Sequence, residues 1–199
     1  RATLTAHPIR NIRSQVTDTL AIALAQINPT VGDVEGNVER IRQARDEAAA
    51  QGAELVVCGE LAAAGYPPED LVLKEAFQDR LEECVLGFAA ETGDGGPGVL
   101  IGAPWRQDGQ LFNAALLLDA GAVSAAAFKV ELPNYGVFDE RRVFSAGSRP
   151  APLIFRGVPL GVMVCEDMWL PDVTRHLTDA GARILIVING SPFERDKTG

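Results

Sequence analysis

An α/β fold with a mixed sheet is the architecture this chain predicts, on three observations. A strand, a helix and a second strand follow one another between residues 20 and 58. That is a βαβ unit, which implies parallel strands and a right-handed crossover. Apolar runs further on are joined by Asp119-Ala120-Gly121 and by Arg156-Gly157, turn signals that make antiparallel hairpins. Several of these runs are apolar without alternation and stop abruptly on a polar residue, as strands buried on both faces do.

Residues 1–19 carry scattered Arg, Thr and Ser around one acid, Asp18. They lack the apolar core of a secretory signal, and an organelle transit segment is a second reading of their basic composition. They predict a disordered leader, with the folded domain over 20–199. Met163 and Met168 are the only methionines, so the start is processed or the sequence is cut.

Residues 20–27 read as a strand and 28–33 as a loop. Over 37–51, Val38, Ile41, Ala44 and Ala48 share one helical face, and Gly52 stops the helix. Residues 54–58 form the second buried strand. Gly65-Tyr66-Pro67-Pro68 is a rigid turn, with Glu69 and Asp70 in the first turn of a following helix. Residues 71–90 predict one long helix or two, with Cys84 in the core. The run 92–98 is a Gly-rich surface loop. Strands follow at 99–102, 112–118 and 123–128, and 131–147 is too rich in turn formers to be an element. A hairpin over 153–164, a helix over 171–179 closed by Gly181, and a last apolar strand at 183–188 complete the chain. There is no internal repeat, Gly-rich phosphate loop or metal-ligand cluster.

Bulk properties narrow the function. A net charge of -9 and a pI near 4.7 argue against nucleic acid or an anionic membrane as partner. No apolar run is long enough to span a bilayer. Three widely spaced cysteines make neither a disulfide framework nor a zinc site, and they fit a reducing, cytoplasmic setting. The only histidines are His7 and His176, neither in a suggestive context.

Chemistry concentrates where three strands end. The run Val162-Met163-Val164 stops on Cys165, the second strand runs into Glu60, and the strand at 123–128 runs into Lys129. Carboxyl ends of strands are where α/β folds expose reactive groups. A carboxylate to take a thiol proton, a thiol to attack a carbonyl and a cation to hold an oxyanion suffice to cleave an amide. Each residue also has a bland reading: Cys165 as a small core residue, Glu60 as a solvated loop acid. Spacing alone leaves their convergence open.

Longer motifs decide between these readings. They are Ala25 to Asp33, Gly59-Glu60-Leu61 with Gly65-Tyr66-Pro67-Pro68-Glu69-Asp70, Leu132-Pro133-Asn134-Tyr135, Phe138-Asp139-Glu140-Arg141-Arg142, Cys165-Glu166-Asp167-Met168-Trp169, and Asn189 to Phe193. In this order they resemble the nitrilase superfamily, and within it the glutaminase domain of glutamine-dependent NAD+ synthetases. The resemblance implies an α-β-β-α sandwich of two stacked sheets, truncated at its C-terminal end. It implies glutamine hydrolysis through a γ-glutamyl thioester on Cys165, with Glu60 as base. Lys129 and the Glu166 N–H would hold the oxyanion, and Glu140 would orient Lys129 or the substrate amide. Tyr135, Ser191 and Lys197 match glutamine-binding residues, and Glu166 would take the substrate amine. No cofactor is implied for this step. ATP and Mg2+ are implied for a synthetase domain absent from this chain, and a homo-oligomer for the full-length protein.

Two departures from the family pattern stand out. Gly190 replaces an Ala in Asn189-Gly190-Ser191-Pro192, which loosens the placement of Ser191. The Ser-Gly-Gly-x-Asp-Ser loop of a synthetase domain does not occur, so 20–199 reads as an incomplete domain, poorly active by itself. A free-standing hydrolase of another small amide, or an inert assembly piece, are the alternative readings.

Overall fold

The computed structural model describes residues 19–136 and 138–190. The leader expected before residue 19, and the predicted substrate contacts Ser191 and Lys197, lie outside the described residues.

The chain runs β1 (Ile22–Ala25), α1 (Val34–Ala50), β2 (Leu55–Cys58), α2 (Glu75–Glu91), β3 (Gly98–Gln107), β4 (Gln110–Asp119), β5 (Ala122–Phe128), β6 (Leu153–Phe155), β7 (Val158–Val164), α3 (Pro171–Asp179) and β8 (Ile184–Ile188). Two sheets form. The first has strand order β1-β2-β3-β4-β5 and the second β6-β7-β8. In the first sheet β1, β2 and β3 are parallel, and β4 and β5 return antiparallel. In the second, β6–β7 is the expected hairpin and β8 lies parallel to β7.

Side-chain alternation sorts these strands into layers. Val56, Val99, Ile101 and Leu116 face α1 and α2, burying Ile41, Leu81, Val85 and Phe88. The opposite face, with Leu55, Val57, Leu100 and Leu117, packs on Phe155, Leu160, Val162 and Ile186 of the second sheet. The outer side of that sheet, at Met163, is covered by Val173 and Leu177 of α3. The result is the expected α-β-β-α sandwich. Each fully buried Leu, Ile or Phe in it contributes about 1.5–3 kcal/mol relative to exposure.

The structure changes four details. Helix α1 starts three residues earlier than the apolar pattern suggests, because Asp33 caps it by accepting the Gly36 N–H at 3.1 Å. The region 71–90 divides: a 3-10 turn spans Glu69–Leu73, extended Lys74 breaks it, and α2 follows. Strand β3 runs to Gln107 and pairs with β4 around Asp108-Gly109, whose φ values of 50° and 75° are those of a tight hairpin turn. Pro104 is tolerated there because β2 pairs with β3 only as far as Leu100. Cys84, expected in the core, is only half-buried on α2.

Candidate active site

Glu60 lies two residues past the end of β2. The backbone from Gly59 to Leu61 presses on β3 at Gly102, where a Cβ would come within 2.4 Å of the Gly59 carbonyl oxygen and the Leu61 nitrogen. Only glycine admits so close a crossing. Leu61 takes φ 50°, so the chain turns sharply and leaves the Glu60 side chain buried.

Lys129 is the first residue past β5. Its N–H donates to the Asn113 carbonyl at 2.8 Å and extends the ladder by one rung. Its side chain is fully buried, and Nζ donates at 2.7 Å both to Glu60 Oε1 and to Glu140 Oε1. Glu140 sits in a 3-10 turn, Glu140–Arg142, within the long loop after β5. Arg142 steadies that turn from outside, pairing with Asp139 at 2.5 Å and with Asp70.

Cys165 follows β7 directly and opens a 3-10 turn, Cys165–Trp169. It takes φ 46°, a left-handed conformation that costs a non-glycine residue about 1–2 kcal/mol. Strain of this kind concentrates at functional sites.

The electrostatics follow from burial. Burial works against the Lys129 ammonium, but Glu60 and Glu140 outweigh it and hold Lys129 above the usual lysine range. Burial pushes the Glu140 carboxyl up, and Lys129 only partly offsets this. Burial pushes the Cys165 thiol up to about 11; the Glu60 carboxylate adds to the shift, while Lys129 and the Gly190 N–H oppose it. The thiol is therefore protonated at neutral pH, with the Glu60 side chain beside it. Iodoacetamide labelling of Cys165 should climb about tenfold per pH unit from pH 7 to 10, because only the thiolate reacts. Cys58 should stay unlabelled, since burial pushes its thiol up to about 12. A Cys165 rate already level below pH 8 would refute this electrostatic picture.

The sequence-predicted residues separate into two groups. Glu60, Lys129, Glu140 and Cys165 come together in the interior. Tyr135 and Glu166 meet at the surface, the phenol donating at 3.0 Å to either carboxylate oxygen. That pair is close enough to Cys165 and Lys129 for their charges to act on Tyr135. Gly190, the departure from the family pattern, abuts the site: a Cβ there would lie 2.9 Å from Glu60 Oε2. A cavity of about 680 Å³ opens beside Glu60, Tyr66 and Gly190 and is lined by residues of β1 and β8.

The profile of the carbon-nitrogen hydrolase family matches residues 21–198. The chain belongs to the carbon-nitrogen hydrolase family. It is 44% identical over 182 residues to a glutamine-dependent NAD(+) synthetase of Rhodobacter capsulatus, covering 92% of this chain and 33% of that protein. A synthetase of the same description from Xylella fastidiosa is 41% identical over 184 residues, with coverage of 89% and 33%. This chain thus spans about a third of the length of these relatives. Among solved structures, the glutamine-dependent NAD+ synthetase of Acinetobacter baumannii superposes with a TM-score of 0.82 at 32% identity, over 88% of this chain and 33% of that one. An amidase from Nesterenkonia sp. AN1 superposes with a TM-score of 0.76 at 27% identity, over 89% and 69%. Another structure of that amidase, a mutant, carries acrylamide added to its active-site cysteine.

Two residues of this carbon-nitrogen hydrolase site escaped the sequence reading. Asn113 is fully buried in β4 and donates from Nδ2 to Glu60 Oε1 at 2.8 Å. It fixes which Glu60 oxygen Lys129 also meets. A lone amide inside the apolar run from Leu111 to Leu118 was the available signal, since a buried amide demands a partner. Asp167 is the other, a buried carboxylate two residues beyond the thiol. Among the described residues, no helix is long and apolar enough to cross a membrane.

Proposed function

We propose that this chain hydrolyses the side-chain amide of L-glutamine through a thioester on Cys165. The observation that carries the reading is the buried Glu60–Lys129–Glu140 cluster set against a strained, protonated Cys165. Glu60 takes the thiol proton as Sγ attacks the amide carbon. The negative charge that develops on the amide oxygen is met by Lys129 Nζ and the Glu166 N–H, preorganised so that no reorganisation is needed at the moment of reaction. Collapse expels ammonia, which leaves with the proton held by Glu60. Water then enters, Glu60 takes its proton, and attack on the thioester releases glutamate and restores the thiol.

Glu140 keeps Lys129 aimed at the reacting oxygen. Tyr135 and Glu166 receive the amino-acid end of the substrate, with Glu166 accepting from the α-ammonium, and Ser191 and Lys197 contribute to glutamine binding in this reading. The hydrolytic step needs no cofactor in this reading. Ammonia passes to a synthetase domain or subunit, where ATP and Mg2+ support the amidation of deamido-NAD+ to NAD+, in a homo-oligomeric, cytoplasmic enzyme. The relatives named above support this assignment, and the three free cysteines suit a reducing compartment.

The second reading, hydrolysis of another small amide, is favoured by the Nesterenkonia amidase, of which this chain covers 69%. Ammonia release from glutamine, asparagine, propionamide and acrylamide separates the two. Turnover of glutamine well above the simple amides is expected, with glutamine protecting Cys165 from iodoacetamide and leaving half-exposed Cys84 unprotected. Faster turnover of propionamide than of glutamine would overturn the glutaminase reading.

A further inference from the structure

We propose that Asp167 is a positioning residue that holds Lys129 and Cys165 in register across the two sheets. This rests on the reading that Lys129 and Cys165 act on one substrate. The Asp167 side chain is buried, and its two oxygens serve two different elements. Oδ2 accepts the Val164 N–H at 3.1 Å, immediately before Cys165. Oδ1 accepts the Val130 N–H at 3.0 Å and the Glu131 N–H at 2.8 Å, immediately after Lys129.

The first bond is an ordinary cap on a tight turn. The other two are not required by any local structure, for they reach back 37 and 36 residues to the loop that leaves β5 of the other sheet. Elsewhere these strand ends meet through apolar contacts such as Ala127 and Val164. Apolar packing is non-directional and tolerates small slides along the strand axis. Three charge-assisted bonds on one carboxylate do not. Burial pushes the Asp167 carboxyl up, and the three backbone N–H groups oppose that shift, as expected where the anion is the bonded form. The carboxylate touches neither the thiol nor the ammonium by a hydrogen bond. Its effect on both is through the backbone on which each is mounted.

The test is a double-mutant cycle read by iodoacetamide alkylation of Cys165, which needs no substrate. Asp167→Asn keeps the size of the side chain but turns an N–H towards an N–H. It should slow alkylation about tenfold at pH 8, since a misplacement of about 1 Å near a reacting group costs up to 10²-fold. In a Lys129→Met background the same change should cost less than twofold, because there is no longer an ammonium to misplace. Leu177→Ala, in the α3 core, is the control: it loses stability without slowing the thiol. In glutamine hydrolysis Asp167→Asn should lower kcat and leave KM within about threefold, a readout that stands even if Lys129→Met fails to fold. Equal slowing in both backgrounds, or slowing by Leu177→Ala in step with Asp167→Asn, would overturn the positioning role. Alkylation coupling among the variants, with no glutamine hydrolysis by the wild-type protein, would overturn the glutaminase reading alone.

Discussion

Cys165→Ala should abolish amide hydrolysis, with kcat down by about 10⁴-fold or more, while glutamine still binds. Removing the nucleophile of a covalent mechanism leaves only binding and oxyanion stabilisation, and losses of that size follow. The structure adds a stability comparison. Cys165 holds φ 46°, which alanine tolerates no better than cysteine and glycine adopts freely. Cys165→Gly should therefore be equally inactive yet more stable than Cys165→Ala by about 1 kcal/mol. Isothermal titration with glutamine, ammonia release and urea unfolding of the two variants check all three parts. Residual turnover above about 1% of wild type would remove Cys165 from the chemistry, and an alanine variant as stable as the glycine one would deny the backbone strain.

Lys129→Ala should damage both activity and fold. Loss of a preorganised oxyanion donor lowers kcat by about 10²-fold or more. Lys129→Arg should not rescue it, because a planar fork cannot place one donor between Glu60 Oε1 and Glu140 Oε1 at 2.7 Å from each. For stability, removing one member of a buried ion pair costs about 3–5 kcal/mol by stranding its partner. The pH dependence has a definite sign. The folded pKa of Lys129 is raised above its unfolded value of 10.5, so its contribution is complete at neutral pH and is lost only as pH rises through the folded value. The folded pKa of Glu140 is also raised, above 4.5, so folding is favoured by its protonation and disfavoured as pH climbs beyond that. Without the ammonium, Glu140 loses the group that partly offsets its burial and takes up a proton more readily. Urea unfolding should therefore show Lys129→Ala closest to wild type near pH 5 and furthest from it near pH 8. A deficit that is the same at both values would mean that the carboxylates are solvated rather than stranded.

The sandwich was legible because burial on both faces leaves a plain mark. Val56-Val57-Cys58 and Val162-Met163-Val164 are apolar without alternation, and both form central strands. Pro171 and Gly181 marked the limits of α3 for the steric reasons that place Pro early and Gly just past the end of helices. The start of α1 was harder to see, because its first turn contains Gly36 and depends on a cap by Asp33. The tip of the β3–β4 hairpin was missed although Asp108-Gly109 is a strong turn signal, since Pro104 and Arg106 obscured the strand before it. In the site, Glu60, Lys129 and Cys165 announced themselves as polar residues at the ends of apolar runs. Their meeting did not, for it depends on how two sheets stack. Asn113 and Asp167 act through hydrogen bonds to distant chain segments, and nothing local to either residue names those distant partners.

The site also has a place in time. Lys129 meets Glu60 across 69 residues of chain and Glu140 across only 11, while Asn113 reaches Glu60 across 53. Contacts between distant segments carry a loop-closure cost before they give anything back, so they form late in folding. Three buried ionisable groups are an added barrier, because they lose hydration before the last partner arrives. A chain with β1 to β3 and α1 assembled has its larger core half-built and no ammonium beside Glu60. The site is therefore complete only in the final cooperative step, when the second sheet docks and brings Cys165 to the cluster. The same long-range closure that makes the site slow to assemble leaves incomplete copies without it.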